Sequence, residues 1–465
     1  MNVRSIVSTY CPSFLRPVLN RIVDSPVGLR LARGVFWSMV GALISKGLML
    51  VAMILVARML DKSTFGELGL VRQTIRMFGV LAGFGMGVTA TKFVAEFREN
   101  DRQRAGRVIG LSGLLGLLIG ILMAGGLLLL APWLAKNTFH DPALVSTLRI
   151  AALVLFINAL NGAQNGALAG MEAFKTIASV NLLVGLLSFP ILVCGAWLGQ
   201  RHSAGLDGTV WALAVIIGIH ALLNHLALRK ETRKHNIPLT LKHCTKEISI
   251  LWTFSAPAVI TSIMAAPVFW LSKSILANRP NGFEEVAVVV VAESWRMIPF
   301  FICMTIAQAN LPVLSQLYSS GDLRRFKKAL FLNFCLTGAV VTLGACAVVV
   351  LSTPIMASYG ADFANDSFVL VLIILSTIPM QLQAVVVAAN RCMGKIWVNV
   401  CFNAIWAACF MLATVLLVED GAVGIAWATL IAYSIRLAVS MVYFTLVIRI
   451  RLRHGDVSTS QEQET

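Results

Sequence analysis

The sequence predicts an all-α integral membrane protein. Twelve transmembrane helices form two six-helix halves around a central cationic cavity, and both termini lie in the cytoplasm. Three observations carry this expectation. The 465 residues are 58% hydrophobic and 13% charged, with a mean hydropathy of +0.81, far from the balance of a soluble domain. Apolar runs long enough to cross ~30 Å of hydrocarbon as helix recur along the whole chain. Lysine and arginine concentrate in alternate connecting segments, the charge pattern that orients membrane proteins.

In order, the spans fall at 34–57, 68–90, 108–130, 148–170, 177–199, 210–228, 249–272, 286–312, 329–351, 367–390, 396–418 and 423–448. A basic segment, 1–33, precedes them. A basic linker, 229–248, separates the half at 34–228 from the half at 249–448, and 449–465 forms a tail. With both termini inside, the cytoplasmic segments hold 26 Lys and Arg and the outer segments hold 6. That asymmetry accounts for most of the +16 net charge without nucleic acid, and it sets the basic loops against anionic membrane lipid. The first long apolar run continues into a full span, so it is expected to be retained rather than cleaved as a signal. Nine cysteines show no C-x-x-C spacing and none falls in an outer loop, so they read as small apolar residues and no metal site is expected.

An internal repeat supports the two halves. Gly208, Trp211, Ala212 and Ile219 of span six match Gly424, Trp427, Ala428 and Ile435 of span twelve at an offset of 216, close to half the chain. Thr74-Ile-Arg76-Met77 answers Ser294-Trp-Arg296-Met297, and Asp101-Arg-Gln-Arg104 answers Asp322-Leu-Arg-Arg325. Six crossings return the chain to its starting side, so the halves share one orientation about an axis along the membrane normal.

Charges inside the spans single out the candidate site. They are Lys46 in span one, Arg72 and Arg76 in span two, Glu293 and Arg296 in span eight, and Arg436 in span twelve, with His220 in span six. A lysine or arginine at a helix centre costs ~2.5–3.5 kcal/mol on insertion scales, so five of them are expected to face a watery interior. Arg72 and Arg76 share one helix face at i and i+4; Glu293 and Arg296 share another at i and i+3. Arg76 and Arg296 are repeat mates, one for each wall of a cleft. Two blander readings stand beside this one: Glu293 and Arg296 neutralise each other, and Arg72 snorkels to the outer surface. Neither covers the whole set, because the cations outnumber the one acid. A surplus of guanidinium suits an anion, above all phosphate. Lys46, Arg72, Arg76, Arg296 and Arg436 are therefore the substrate-binding candidates, with Glu293 and His220 as counter-ion or coupling groups.

Other polar positions carry less. Asn158, Asn161, Gln164 and Asn165 in span four either line the cleft or hydrogen-bond to neighbouring helices, the more frequent role. Arg149 and Lys273 sit near outer ends and are expected to reach for headgroups. Pro257 and Pro267 interrupt span seven, and Gly83, Gly85 and Gly87 loosen span two, which permits bending. No catalytic constellation, phosphate-cradling loop or nucleotide-binding domain is present.

A set of ordered motifs resembles a known family. Trp37-Ser-Met-Val-Gly, Ala57-Arg58-Met-Leu60-Asp61, Phe65-Gly66-Glu67, Thr91-Lys-Phe-Val-Ala95, Pro312-Val-Leu-Ser315 and Gly321-Asp322 resemble the polysaccharide-export flippases of the multidrug/oligosaccharidyl-lipid/polysaccharide superfamily. Twelve spans resemble its Wzx-type O-antigen and exopolysaccharide branch. The resemblance implies a bacterial inner-membrane protein that moves undecaprenyl-pyrophosphate-linked oligosaccharides from the cytoplasmic to the periplasmic face without bond chemistry. It also implies no cofactor beyond H⁺ or Na⁺ coupling, and a polysaccharide polymerase and chain-length regulator as candidate partners. Two other functions compete: a cation-coupled multidrug exporter, which would want more acid in the cavity, and a membrane glycan polymerase or ligase, which would want a larger outer loop.

Overall fold

The computed structural model describes residues 26–83, 86–239, 244–247 and 264–461. Every regular element among them is helical. In chain order these are α1 (Pro26–Met59), α2 (Lys62–Gly83), α3 (Met86–Phe97), α4 (Arg102–Trp133), α5 (Leu144–Gly170), α6 (Phe174–Arg201), α7 (Gly205–Lys234), α8 (Ala265–Ala277), α9 (Gly282–Ser319), α10 (Leu323–Val350), α11 (Ser352–Ala357), α12 (Ser367–Leu375), α13 (Thr377–Cys392), α14 (Ile396–Leu417) and α15 (Gly421–Gln461).

Seven stretches of the described residues are long and apolar enough to cross a membrane, or eight if α2 and α3 make one broken span. The longest of them, Trp397–Leu446, holds two helices, α14 and α15, packed on each other across a turn at Gly421 with φ +63°. Leu129, Leu343, Val350 and Trp397 are 84%, 72%, 79% and 72% exposed on such helices. Faces of that kind are stable only against hydrocarbon, so the chain is a multi-pass membrane protein.

Local chemistry sets the helix ends. The repeat mates Asp101 and Asp322 each accept the amide of the residue three positions on, Arg104 and Arg325, both at 2.9 Å, satisfying a donor that the first helical turn leaves unpaired. Asp61 caps α2 through the Thr64 amide at 3.0 Å and hydroxyl at 2.7 Å. Burial would raise the Asp61 carboxyl, but these two hydrogen bonds hold it below the usual carboxylate range. The expected span at 367–390 lies within the single apolar stretch Ala361–Cys392; between α12 and α13 Ser376 keeps helical dihedrals, and its hydroxyl donates back to the Ile373 carbonyl at 2.6 Å. Pro257 and Gly85, two of the expected bending points, lie outside the described residues, whereas Pro267 sits in the first turn of α8, where proline is tolerated.

The chain condenses into two compact units, neither contiguous in sequence. The first comprises the chain up to Leu55 with Leu81–Leu129 and Arg149–Val259. Its core packs Ala90 and Val94 of α3, Val108 and Ile109 of α4 and Leu168 of α5. Asn161 joins α5 to α7: its amide donates to the Ile217 carbonyl at 3.2 Å and its oxygen accepts from Asn224 at 3.0 Å. The second unit comprises Val56–Val80, Leu130–Leu148 and the chain from Ile260. α9 is its centre, packed against α8, α10, α12, α13 and α15. The valine-rich stretch Val286–Ala292 is at most 9% exposed along its length, so its apolarity serves protein packing. Gly66 of α2 lies against the backbone of α9 so closely that a Cβ there would stand 1.8 Å from the Phe283 carbonyl oxygen. At the start of α2, Lys62 binds Asp366 at 2.8 Å, and Arg58 donates to the Ser358 carbonyl at 2.6 Å.

Candidate functional site

The second unit gathers charge around α9. From α8, Lys273 reaches Glu293 of α9, Nζ to Oε2 2.5 Å, with side chains 3% and 16% exposed. This corrects two expectations: Lys273 is not at a headgroup, and Glu293 spends its carboxylate on Lys273, not on Arg296. The physical reason is that an amine sealed among packed helices needs a counter-charge more than an arginine does, whose guanidinium is more weakly hydrated. Glu293 lies within electrostatic reach of Lys273, Arg296 and Arg76 together. α8 is fixed to α2 one turn from these groups, where the Trp270 indole donates to the Thr74 hydroxyl at 3.0 Å, both buried.

Arg296 is 7% exposed, with its guanidinium carbon 5.7 Å from the Phe269 ring centre. Its Nε and Nη1 find no hydrogen-bond partner among the described residues. Arg436 of α15 donates through Nη2 to Asn403 of α14, while its Nε has no such partner. Between these helices stands an aromatic wall. Phe269 lies 5.3 Å from Trp406 and 5.4 Å from Phe410, and Trp406 lies 5.4 Å from Tyr433. Arg72 is half-buried, in electrostatic reach of Arg76 and Tyr359. Tyr359, in the connection after α11, accepts from the Trp295 indole at 3.1 Å. Burial pushes its phenol up to about 12, against the pull of Trp295 and Arg72, so it acts there as a neutral hydroxyl.

The second unit thus sets Lys273, Arg296 and Arg76 around Glu293, with Arg436 reaching the same group through Tyr433 and Arg72 through Arg76. Lys46, exposed on α1, and His220, half-buried on α7 with no partner for Nε2 among the described residues, belong to the first unit. Arg149 is exposed at the start of α5. Sequence reasoning missed Asn403, Trp406 and Tyr433. Asn403 and Trp406 at i and i+3, and Tyr433 and Arg436 likewise, mark single helix faces that a search for polar groups beside a mid-span charge would have found.

With that geometry described, comparison with known proteins places the chain. Residues 31–318 match the family described as polysaccharide biosynthesis protein, and with more than half its length inside that match the chain belongs to the family. The EPS I polysaccharide export inner membrane protein EpsE of Ralstonia solanacearum is 26% identical over 416 residues, covering 88% of this chain and 89% of that protein. The lipid III flippase of Escherichia coli K12 is 28% identical over 311 residues, 64% of this chain and 70% of that one. Among solved structures, an inward-facing multidrug resistance transporter of the MATE family, in the MOP superfamily, superposes with a TM-score of 0.77 at 14% identity, covering 87% and 95% of the two chains. At that identity the likeness speaks for the fold alone.

Proposed function

We propose that the protein is a flippase of the bacterial inner membrane. It moves undecaprenyl-pyrophosphate-linked oligosaccharide units from the cytoplasmic to the periplasmic face by alternating access, for O-antigen or exopolysaccharide synthesis. The observation that carries this reading is the buried guanidinium of Arg296: 7% exposed, it keeps Nε and Nη1 without a hydrogen-bond partner among the described residues while Glu293 pairs with Lys273, and bidentate guanidinium suits a diphosphate. The names of the relatives point the same way, a polysaccharide export inner membrane protein and a lipid III flippase. In this reading Arg72, Arg76, Arg296 and Arg436 attract the anionic head, and Lys46 is a separate substrate-binding candidate. Twelve spans arranged as two six-helix halves, 34–228 and 249–448, with cytoplasmic termini, provide the alternation. Polymerase and chain-length regulator are the partners this reading calls for, and no bond is made or broken. The cationic-drug reading is disfavoured by the same pair, since the one acid in the group is already neutralised.

The test is complementation of a deletion strain. Arg76→Ala and Arg296→Ala should each abolish glycan export at normal protein abundance, with lysine rescuing poorly; full export by both alanine variants would overturn the assignment. Coupling to H⁺ or Na⁺ is assigned to Glu293, with His220 as the second candidate. Glu293→Gln should slow export and remove its dependence on the ion gradient, and an unchanged gradient dependence would leave Glu293 as a structural counter-ion.

A further inference from the structure

Around Phe269 the second unit holds buried donors with no acceptor among the described residues. Trp406 is 2% exposed, yet its indole N–H has no hydrogen-bond partner among the described residues; the same holds for Nε and Nη1 of Arg296, 7% exposed, and for Nε of Arg436. Arg296 and Trp406 both abut the Phe269 ring, the guanidinium carbon at 5.7 Å and the indole at 5.3 Å from its centre. Trp406 also lies 5.4 Å from Tyr433, one turn before Arg436 on α15.

Indole and guanidinium N–H groups donate and never accept, so they cannot satisfy one another. The carboxylate that could serve them, Glu293, is held at 2.5 Å by Lys273, and the ring faces of Phe269 and Phe410 supply no lone pair. Packing alone would favour phenylalanine at position 406, which keeps the ring and discards the unpaired donor. A buried donor without a partner in the protein suits an acceptor supplied by a bound molecule.

We infer that Trp406 is a substrate-binding residue. Its indole N–H donates to an oxygen of an oxyanion on the transported molecule, beside the guanidinium of Arg296. The oxyanion is the diphosphate joining lipid to glycan or the carboxylate of an acidic sugar. The inference rests on the flippase reading for its ligand, and it predicts an inversion in which the site is more stable without the group that binds.

The experiment uses the full chain purified in nanodiscs, with undecaprenyl pyrophosphate as one probe and methyl glucuronide as the other. Wild type should bind one of them, which identifies the source of the oxyanion. Trp406→Phe should bind that probe about 10-fold to 100-fold more weakly, the loss of a hydrogen bond to a charged group, while melting at the same or a higher temperature. Binding at wild-type strength, or a lowered melting temperature with binding intact, would overturn the inference and leave the flippase reading standing. Wild type binding neither probe would overturn both. Should Trp406→Phe fail to accumulate, Trp406→Leu gives the same comparison. It too removes the indole donor and should weaken binding by a similar factor; unchanged affinity would overturn the inference.

Discussion

Lys273 and Glu293 have exchanged water for each other at 2.5 Å. Removing one partner of such a buried pair leaves an uncompensated charge and costs about 3–5 kcal/mol, whereas replacing both with apolar residues is often neutral. Lys273→Met is therefore expected to lower the melting temperature of the purified protein sharply, and Lys273→Met with Glu293→Leu to recover most of the loss; a double variant as unstable as the two losses added would show that the residues are not coupled. The charges Arg76, Glu293, Arg296 and Arg436 stood out in the sequence because an ionised group inside an apolar run is costly. Lys273 was not legible as a buried group, because hydropathy locates the end of a run and cannot tell a snorkelling amine from one whose partner sits on the next helix. Trp406 and Asn403 escaped for a related reason. Their significance lies in which atoms lack or find partners, and spacing along one helix does not encode that.

Gly66 illustrates what governs the elements. Replacing glycine by alanine in a helix usually stabilises by about 0.4–1 kcal/mol through the unfolded chain. At Gly66 the sign reverses, since the new Cβ would meet the Phe283 carbonyl oxygen at 1.8 Å and force α2 away from α9. Gly66→Ala should lower both abundance and melting temperature, while Gly125→Ala, where a Cβ meets nothing within 4 Å, should leave them unchanged or slightly raised; equal behaviour of the two would remove the close approach as the cause. Most helices were legible as apolar runs, but their ends were not. α7 extends beyond the run at 210–228 to Gly205 and Lys234, because backbone hydrogen bonding does not stop where hydrocarbon does. The irregularity at Ser376, between α12 and α13, is too local for an apolar window to register.

For the molecule as a whole, the charge asymmetry of 26 against 6 carries a topology that the helices alone do not. A reporter that fluoresces only in the cytoplasm, fused after Thr465, should give signal; a dark but stably expressed fusion would reverse the orientation or change the parity of the spans. Membrane class and family resemblance were legible because composition and motif order extend over the whole chain. The grouping of Val56–Val80 and Leu130–Leu148 with the residues from Ile260 was not. Units of this kind are defined by contacts between distant segments, whereas the repeat speaks only of sequence that folds alike.

The Lys273–Glu293 pair also sets an order of events during synthesis. The two residues are 20 positions apart, so at roughly 5–20 residues per second the acid leaves the ribosome about one to four seconds after the base. Both partners are synthesised ahead of α10 to α15. Asn403 and Arg436 follow Arg296 by more than a hundred positions, so the remaining guanidinium groups wait several times longer for their surroundings. Both members of the ion pair thus precede Asn403 and Arg436 in the growing chain.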